Sequence, residues 1–332
     1  MDVDAFTAVR SPRWSRLQEL ARRRRRTGAE ADEMTLLYRS TASDLAAVRS
    51  AAPDPALITR LSILLAQSRV WLTGAHHVRT SDVVRYFTRS LPAALHHVRW
   101  WGFWVAAAVI VMSAVAAQHT LNSPEALELV GPPETRAQIA QEEFASYYTE
   151  YDGTSFTARV WTNNAWLAAQ CIAFGITGVY PLILMYNTVI QLGVAAAVMA
   201  EHDMLDIFFQ LIIPHGLLEL SAVFVAAGAG LKLFWTVFVP GPRTRGQALA
   251  QEGRVTIAVA LGLAITLFVS GLIEGYVTPS DVLPWWAKIV IGSIAFVAFW
   301  GFVFLGGRDA RRQGATGDDD ADFAVEQAPV AA

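Results

Sequence analysis

Cysteine is nearly absent: the 332 residues contain one, Cys171, inside an apolar run. A single thiol excludes an intrachain disulfide, and with no second Cys or His at ligand spacing it excludes a zinc module. It reads as a small buried hydrophobe. Charge is scarce too, at 17% of residues against about 25% in soluble domains. The scarcity is local, because Thr162–Ala200 holds no Asp, Glu, Lys, Arg or His, while residues 1–99 hold sixteen arginines against nine acids. The formal net charge of -3 therefore averages two unlike regions. A secretory h-region is missing before the arginines, so the first membrane segment is expected to act as the insertion signal. Also missing are G-x-S-x-G, a Walker A loop and G-x-G-x-x-G, the local signatures of several hydrolase and nucleotide-binding chemistries.

What is present is a series of long apolar runs. A span needs about 20 apolar residues, and the pattern predicts six, at about 100–117, 162–179, 181–200, 217–238, 255–273 and 288–306. Trp100, Trp101 and Trp104 form an interfacial belt at the entry of the first. The uncharged stretch Thr162–Ala200 is too long for one crossing, so a turn is expected near Gly178-Val179-Tyr180-Pro181. The run from Ile207 to Val239 would be about 50 Å as one helix, and a break at Pro214–Gly216 is the expected remedy. The fold class expected is all-α: a polytopic membrane bundle whose fourth span is broken, behind a cytosolic helical region at 1–98. The outer loop 118–161 is acidic and long enough for amphipathic helices such as Pro133–Tyr147. Residues 308–332 read as a disordered acidic tail.

Arginine placement orients this arrangement. With six spans, 1–99, 240–254 and the segment carrying Arg308, Arg311 and Arg312 fall on one side, and the net-acidic loops 118–161, 201–206 and 273–287 on the other. The positive-inside rule then puts both termini in the cytosol of a bacterial inner membrane.

In the front region, Phe6, Val9, Trp14, Leu17 and Leu20 repeat at helical spacing. So do Met34, Leu37, Tyr38, Leu45 and Val48, and then Leu57, Ile58, Leu61, Ile63, Leu64, Leu65 and Val70. Pro53 and Pro55 separate the last two stripes, which suggests a small helical bundle. Arg22, Arg23, Arg24, Arg25 and Arg26 form a run that reads as a solvated, topology-fixing face or as a contact for anionic membrane lipids. No nucleic-acid motif accompanies it, so nucleic acid is not an expected partner.

Polar residues at membrane depth are the candidate site: Asn163, Asn164, Asn187, Gln191, His215, Gly216 and Glu219. His215 and Glu219 lie four apart on one helix face, where each is the other's natural partner. An ionisable group in a span defaults to a functional hypothesis. Three readings follow: a structural network in a non-enzymatic scaffold, a transport or ion path at the broken helix, or a metallohydrolase. The last lacks an evident third ligand, and no catalytic residue, metal or cofactor is assigned. The small residues around Gly228 and Gly230 suggest self-association, most simply as a homodimer.

The order Asn163-Asn164, Asn187 with Gly193, Pro214-His215-Gly216-Leu217-Leu218-Glu219 and the small run Ala226–Gly230 resembles the stage II sporulation protein M family. Phe6, Trp14, Leu17, Leu37-Tyr38-Arg39, Asp44-Leu45-Ala46, Phe87 and Leu91-Pro92 resemble its longer variant. The likeness covers most of residues 1–275, and P-H-G-x-x-E is its most specific part. It implies an inner-membrane protein that anchors cell-envelope partners, among them peptidoglycan-remodelling proteins. Longer relatives imply a link to a MoxR-type ATPase system. It supplies no reaction.

Overall fold

The computed structural model describes residues 3–23, 27–51, 54–72, 80–146 and 152–318. The chain divides into two compact units, Met1–Thr80 and Ser81–Ala332, so the expected boundary at residue 98 moves to 80. Among the described residues every regular element is helical.

The described part of the first unit holds three helices, α1 (Val3–Arg22), α2 (Gly28–Ala51) and α3 (Pro55–Leu72). Their apolar stripes meet in a core of Trp14, Leu17, Leu20, Met34, Leu45, Val48, Leu57, Leu61 and Leu64. Val9 and Ile63, expected in the stripes, face outward. Buried Asp44 is satisfied by the Trp14 indole N–H at 2.9 Å and by an ion pair with Arg10. The Arg16 guanidinium donates to both carboxylate oxygens of Glu33, at 2.9 Å each, and holds that carboxyl below its usual range. In the arginine run, Arg23 pairs with Glu19 and Glu30, whereas Arg24, Arg25 and Arg26 lie outside the described residues.

The second unit opens with α4 (Thr80–Arg85), a π-helical turn (Tyr86–Ser90) and α5 (Leu91–Asn122). The first span is thus longer than expected: Leu91–Leu95 and Val98 are buried within the protein, ahead of the arginine and tryptophans that mark the apolar run. Short helices α6 (Pro124–Val130), α7 (Pro133–Gln138) and α8 (Phe144–Ser146) fill the acidic connection. Then come the hairpin α9 (Gly153–Ala173) and α10 (Val179–Glu201), then α11 (Leu205–Phe238), α12 (Arg245–Leu272), α13 (Trp285–Gly301) and α14 (Gly307–Arg312). Among the described residues five helical stretches are long and apolar enough to cross a membrane: Asp82–Asn122, Val179–Glu201, Leu205–Phe238, Arg245–Val277 and Trp285–Arg312. The first hairpin arm, α9, fails that composition test; it begins nine residues before the apolar run and takes in Arg159, Asn163 and Asn164. Its length is nevertheless sufficient, and it runs from Gly153 beside Gly275, just past the end of α12, to Cys171 beside Gly230 of α11. The hairpin turn falls at Gly175–Gly178, a little earlier than expected, with Gly178 at φ 69° and the Phe234 ring against it.

The expected break at Pro214–Gly216 is absent, because α11 is one helix of 34 residues with Pro214 inside it. Its length, about 51 Å, is accommodated outside the apolar layer. The first two turns bury Phe208 against Ala140, Val198 and Met199, with Ile139 and Phe144 alongside, in a satellite core made by the connection helices. Proline removes one helical hydrogen bond, and the distortion is braced from outside. The Ser270 hydroxyl donates to the His215 carbonyl at 3.0 Å, and Gly292 of α13 lets the Pro214 carbonyl come against its backbone.

Helix α11 is the axis of the unit, packed by α5, α9, α10, α12 and α13. Every residue from Ser221 to Gly230 is buried. Gly228 meets the backbone of Trp101 and Gly102, and Gly230 meets the Cys171 carbonyl and Gly175. The small residues expected to serve a homodimer are therefore consumed inside the chain, where close backbone approach supplies the van der Waals packing that lipid cannot. The expected disordered tail is also corrected for its described part. Residues 307–312 are helical, and buried Asp318 takes two hydrogen bonds from Arg254, at 2.8 and 2.7 Å; residues 319–332 lie outside the described residues.

A Cβ at Gly292 would meet the Pro214 carbonyl oxygen, and one at Gly228 the Gly102 amide, whereas one at Gly246 or Gly253 meets nothing within 4 Å. Gly292→Ala and Gly228→Ala are expected to destabilise by about 1–3 kcal/mol or more, with Gly246→Ala and Gly253→Ala near neutral. Thermal unfolding of the detergent-purified variants checks the contrast.

Candidate functional site

Three elements converge at the end of the bundle where α9 begins. Helix α11 presents His215 and Glu219 one turn apart. Helix α12 ends in a π-helical turn, Ile273–Val277, closed by the Thr278 N–H to the Ile273 carbonyl at 2.9 Å. Such turns insert one residue and re-aim the side chains beside it; here Glu274 and Thr278 face α11. Helix α9 contributes Arg159, Asn163 and Asn164.

The pairing differs from the expected one. His215 is buried, with Nδ1 3.3 Å from the Thr278 hydroxyl and Nε2 3.8 Å from Glu274 Oε1. Glu219 lies instead on one lining with Glu274 and Asn164. The Asn163 amide donates to the Asn164 carbonyl oxygen at 3.3 Å. These groups open onto a cavity of about 380 Å³ lined by Arg159, Val160, Asn163, Asn164, Glu219 and Glu274. Gly216 is buried inside α11. Asn187 and Gln191 do not join: both lie on α10 and are exposed on the surface of the bundle.

Glu274 is the member that sequence reasoning missed. It sits in a loop-like acidic stretch after an apolar run, and only the π-helical turn carries it back into the bundle. A second charged group was missed as well. Lys232 of α11 contacts both carboxylate oxygens of Glu252, at 2.9 and 3.0 Å, and His97 of α5 touches both partners, its Nε2 3.1 Å from Glu252 Oε2. These residues are 20 and 135 positions apart from Lys232, so no local motif joins them. The signal available was Lys232 itself, a lone cation in an apolar run that required a buried partner.

The two groups mark opposite ends of the apolar layer. Glu252 and Glu274 are 22 residues apart on one helical stretch, about 33 Å, close to a hydrocarbon thickness of about 30 Å. Between them, α11 from Ala222 to Gly230 is buried among apolar neighbours, a dry layer about 14 Å deep. The polar site thus lies toward one end of the helices rather than at their middle. Among the described residues no three His, Cys, Asp or Glu side chains come together as a metal-holding group.

Removing one partner of a buried pair leaves the other uncompensated, at about 3–5 kcal/mol. Lys232→Met is therefore expected to lower unfolding free energy by that order, and Lys232→Met with Glu252→Gln to recover part of it. A double-mutant cycle in detergent measures the difference.

Comparison with known families agrees with this architecture. A family model described as stage II sporulation protein M matches residues 100–279, which takes in the helices from the body of α5 through the π-helical turn carrying Glu274. Residues 4–74, the three-helix unit, match a second model described as a domain of unknown function (DUF8413). No curated protein and no solved structure matches the chain. With more than half of its length matched and the site inside the matched region, the chain belongs to the stage II sporulation protein M family.

Proposed function

We propose that this protein is a non-enzymatic membrane scaffold that holds other cell-envelope proteins, acting as a dimer through α10. The observation that carries the reading is the pair Asn187 and Gln191. They stand one turn apart on α10, about 12 and 18 Å from the start of a helix about 34 Å long, and both are exposed. Around them Ile183, Tyr186 and Ile190 also face outward. Carboxamides at that depth in lipid lack partners, and a neighbouring membrane helix supplies them at roughly 0.6–2 kcal/mol per bond. An amide both donates and accepts, so a two-fold copy of the same face satisfies it. This face replaces Gly228 and Gly230 as the basis for self-association.

Family membership supports envelope partners, peptidoglycan-remodelling proteins and a MoxR-type ATPase system among them, and the bacterial inner membrane as the setting. Orientation follows from charge. Arg254 and Asp318 are paired, α14 packs on the first turns of α5, and Arg243, Arg245, Arg308, Arg311 and Arg312 belong to these same segments. Placing this end in the cytosol obeys the positive-inside rule and leaves the Glu219–Glu274 cavity facing outward. The arginine run supports an additional contact with anionic lipid. The transport alternative would need a polar path past Ala222–Gly230, where α11 is closed on all sides.

In nanodiscs, the wild type is expected to be dimeric by mass photometry, and Asn187→Leu with Gln191→Leu to shift it toward monomer by about tenfold or more in dissociation constant. A wild type that stays monomeric, together with a pull-down from native membranes that recovers no membrane protein, would end the scaffold reading. Proteoliposomes are expected to show no flux of ions or small solutes; saturable flux abolished by Glu219→Gln would install a transporter in its place.

A further inference from the structure

The scaffold reading leaves the cavity between α9, α11 and α12 unused. Glu274 is 4% exposed, yet its Oε2 atom, like Oε2 of Glu219, is buried with no hydrogen-bond partner among the described residues. Both side chains line the same space. A buried polar atom left unpaired is costly, and more so when charged. Two of them on one wall describe a place built to receive a donor. The neighbours are already engaged: His215 lies against Thr278 and Glu274, and Lys288 donates to the Thr278 carbonyl at 2.7 Å.

The chemistry of the missing group follows from the lining. It must donate, since the two orphaned atoms are carboxylate oxygens, and a positive charge suits it, since two carboxyl groups and one guanidinium line the space. A primary ammonium offers three N–H donors to the two orphaned carboxylate oxygens and an amide oxygen of Asn163 or Asn164. The space is far larger than one such group, about 380 Å³ against about 30 Å³ for a water. We propose that this cavity binds a primary ammonium group of the ethanolamine type, whether free in solution or carried on a phospholipid headgroup. The inference stands apart from the scaffold reading, because α10 takes no part in it.

The test uses the full chain in detergent and in nanodiscs. Ethanolamine chloride is expected to raise the thermal midpoint saturably, while choline chloride and potassium chloride at equal ionic strength, which offer no N–H donor, leave it unmoved. Glu274→Gln and Glu219→Gln are expected to abolish the ethanolamine shift; if either fails to fold, Asn163→Leu, at an exposed position, is expected to reduce the apparent affinity several-fold. In the lipid arm, phosphatidylethanolamine is expected to be retained through purification from mixed nanodiscs over phosphatidylcholine, and to be lost in Glu274→Gln. A midpoint shift without lipid retention assigns the site to a soluble amine; retention assigns it to the headgroup. A wild type that answers to neither, or answers equally to choline, overturns the proposal.

Discussion

The close approach of α11 to its neighbours' backbones is the constraint on which the rest of the second unit depends. Lipid tails are as apolar as leucine, so membrane helices gain little from hydrophobic burial and must gain from packing. At Gly228, Gly230 and Gly292 the helices meet backbone to backbone, with the Gly102 amide, the Cys171 carbonyl and the Pro214 carbonyl where a Cβ would otherwise sit. Once these distances are set, Lys232 is within reach of Glu252 and His97, and His215 within reach of Thr278 and Glu274. The ion pairs and polar contacts are consequences of that fit.

The class of fold was legible in the sequence because the bilayer imposes a length. Runs of about 20 apolar residues can be counted, and arginines vote on sides. The stripe of Trp14, Leu17 and Leu20 was equally legible, because a three-helix core is periodic. What could not be read was what happens at the margins of the runs. Arg99 and His96-His97 made α5 look as if it began near Trp100, when its first turns are covered by protein rather than lipid. Arg159 hid the true start of α9. Pro214 implied a break that bracing by Ser270 and Gly292 makes unnecessary, and no property of the local sequence announces a brace 55 or more residues away.

The candidate site was half legible for a related reason. His215, Glu219, Asn163 and Asn164 were chosen as polar residues in apolar surroundings, and the fold does bring them to one end of the bundle. Asn187 and Gln191 satisfied the same criterion and point elsewhere, because the criterion says that a partner is needed without saying on which side of the helix it stands. Glu274 failed the criterion outright: the acidic stretch around it reads as a loop, and a single inserted residue in the π-helical turn decides that it is not.

The spacing of the two polar groups along α12 has a mechanical consequence. Side chains held in protein cannot snorkel, so Glu252 and Glu274 act as fixed depth marks about 33 Å apart. A free helix answers a thicker or thinner bilayer by tilting; this one is tied at both ends to α11, which is itself gripped on every side. Hydrophobic mismatch must then be relieved by the lipid, through local thinning or thickening of the bilayer around the bundle. Such an annulus gives neighbouring membrane proteins of the same hydrophobic height a reason to gather beside it, before any side chain on α10 has made a contact.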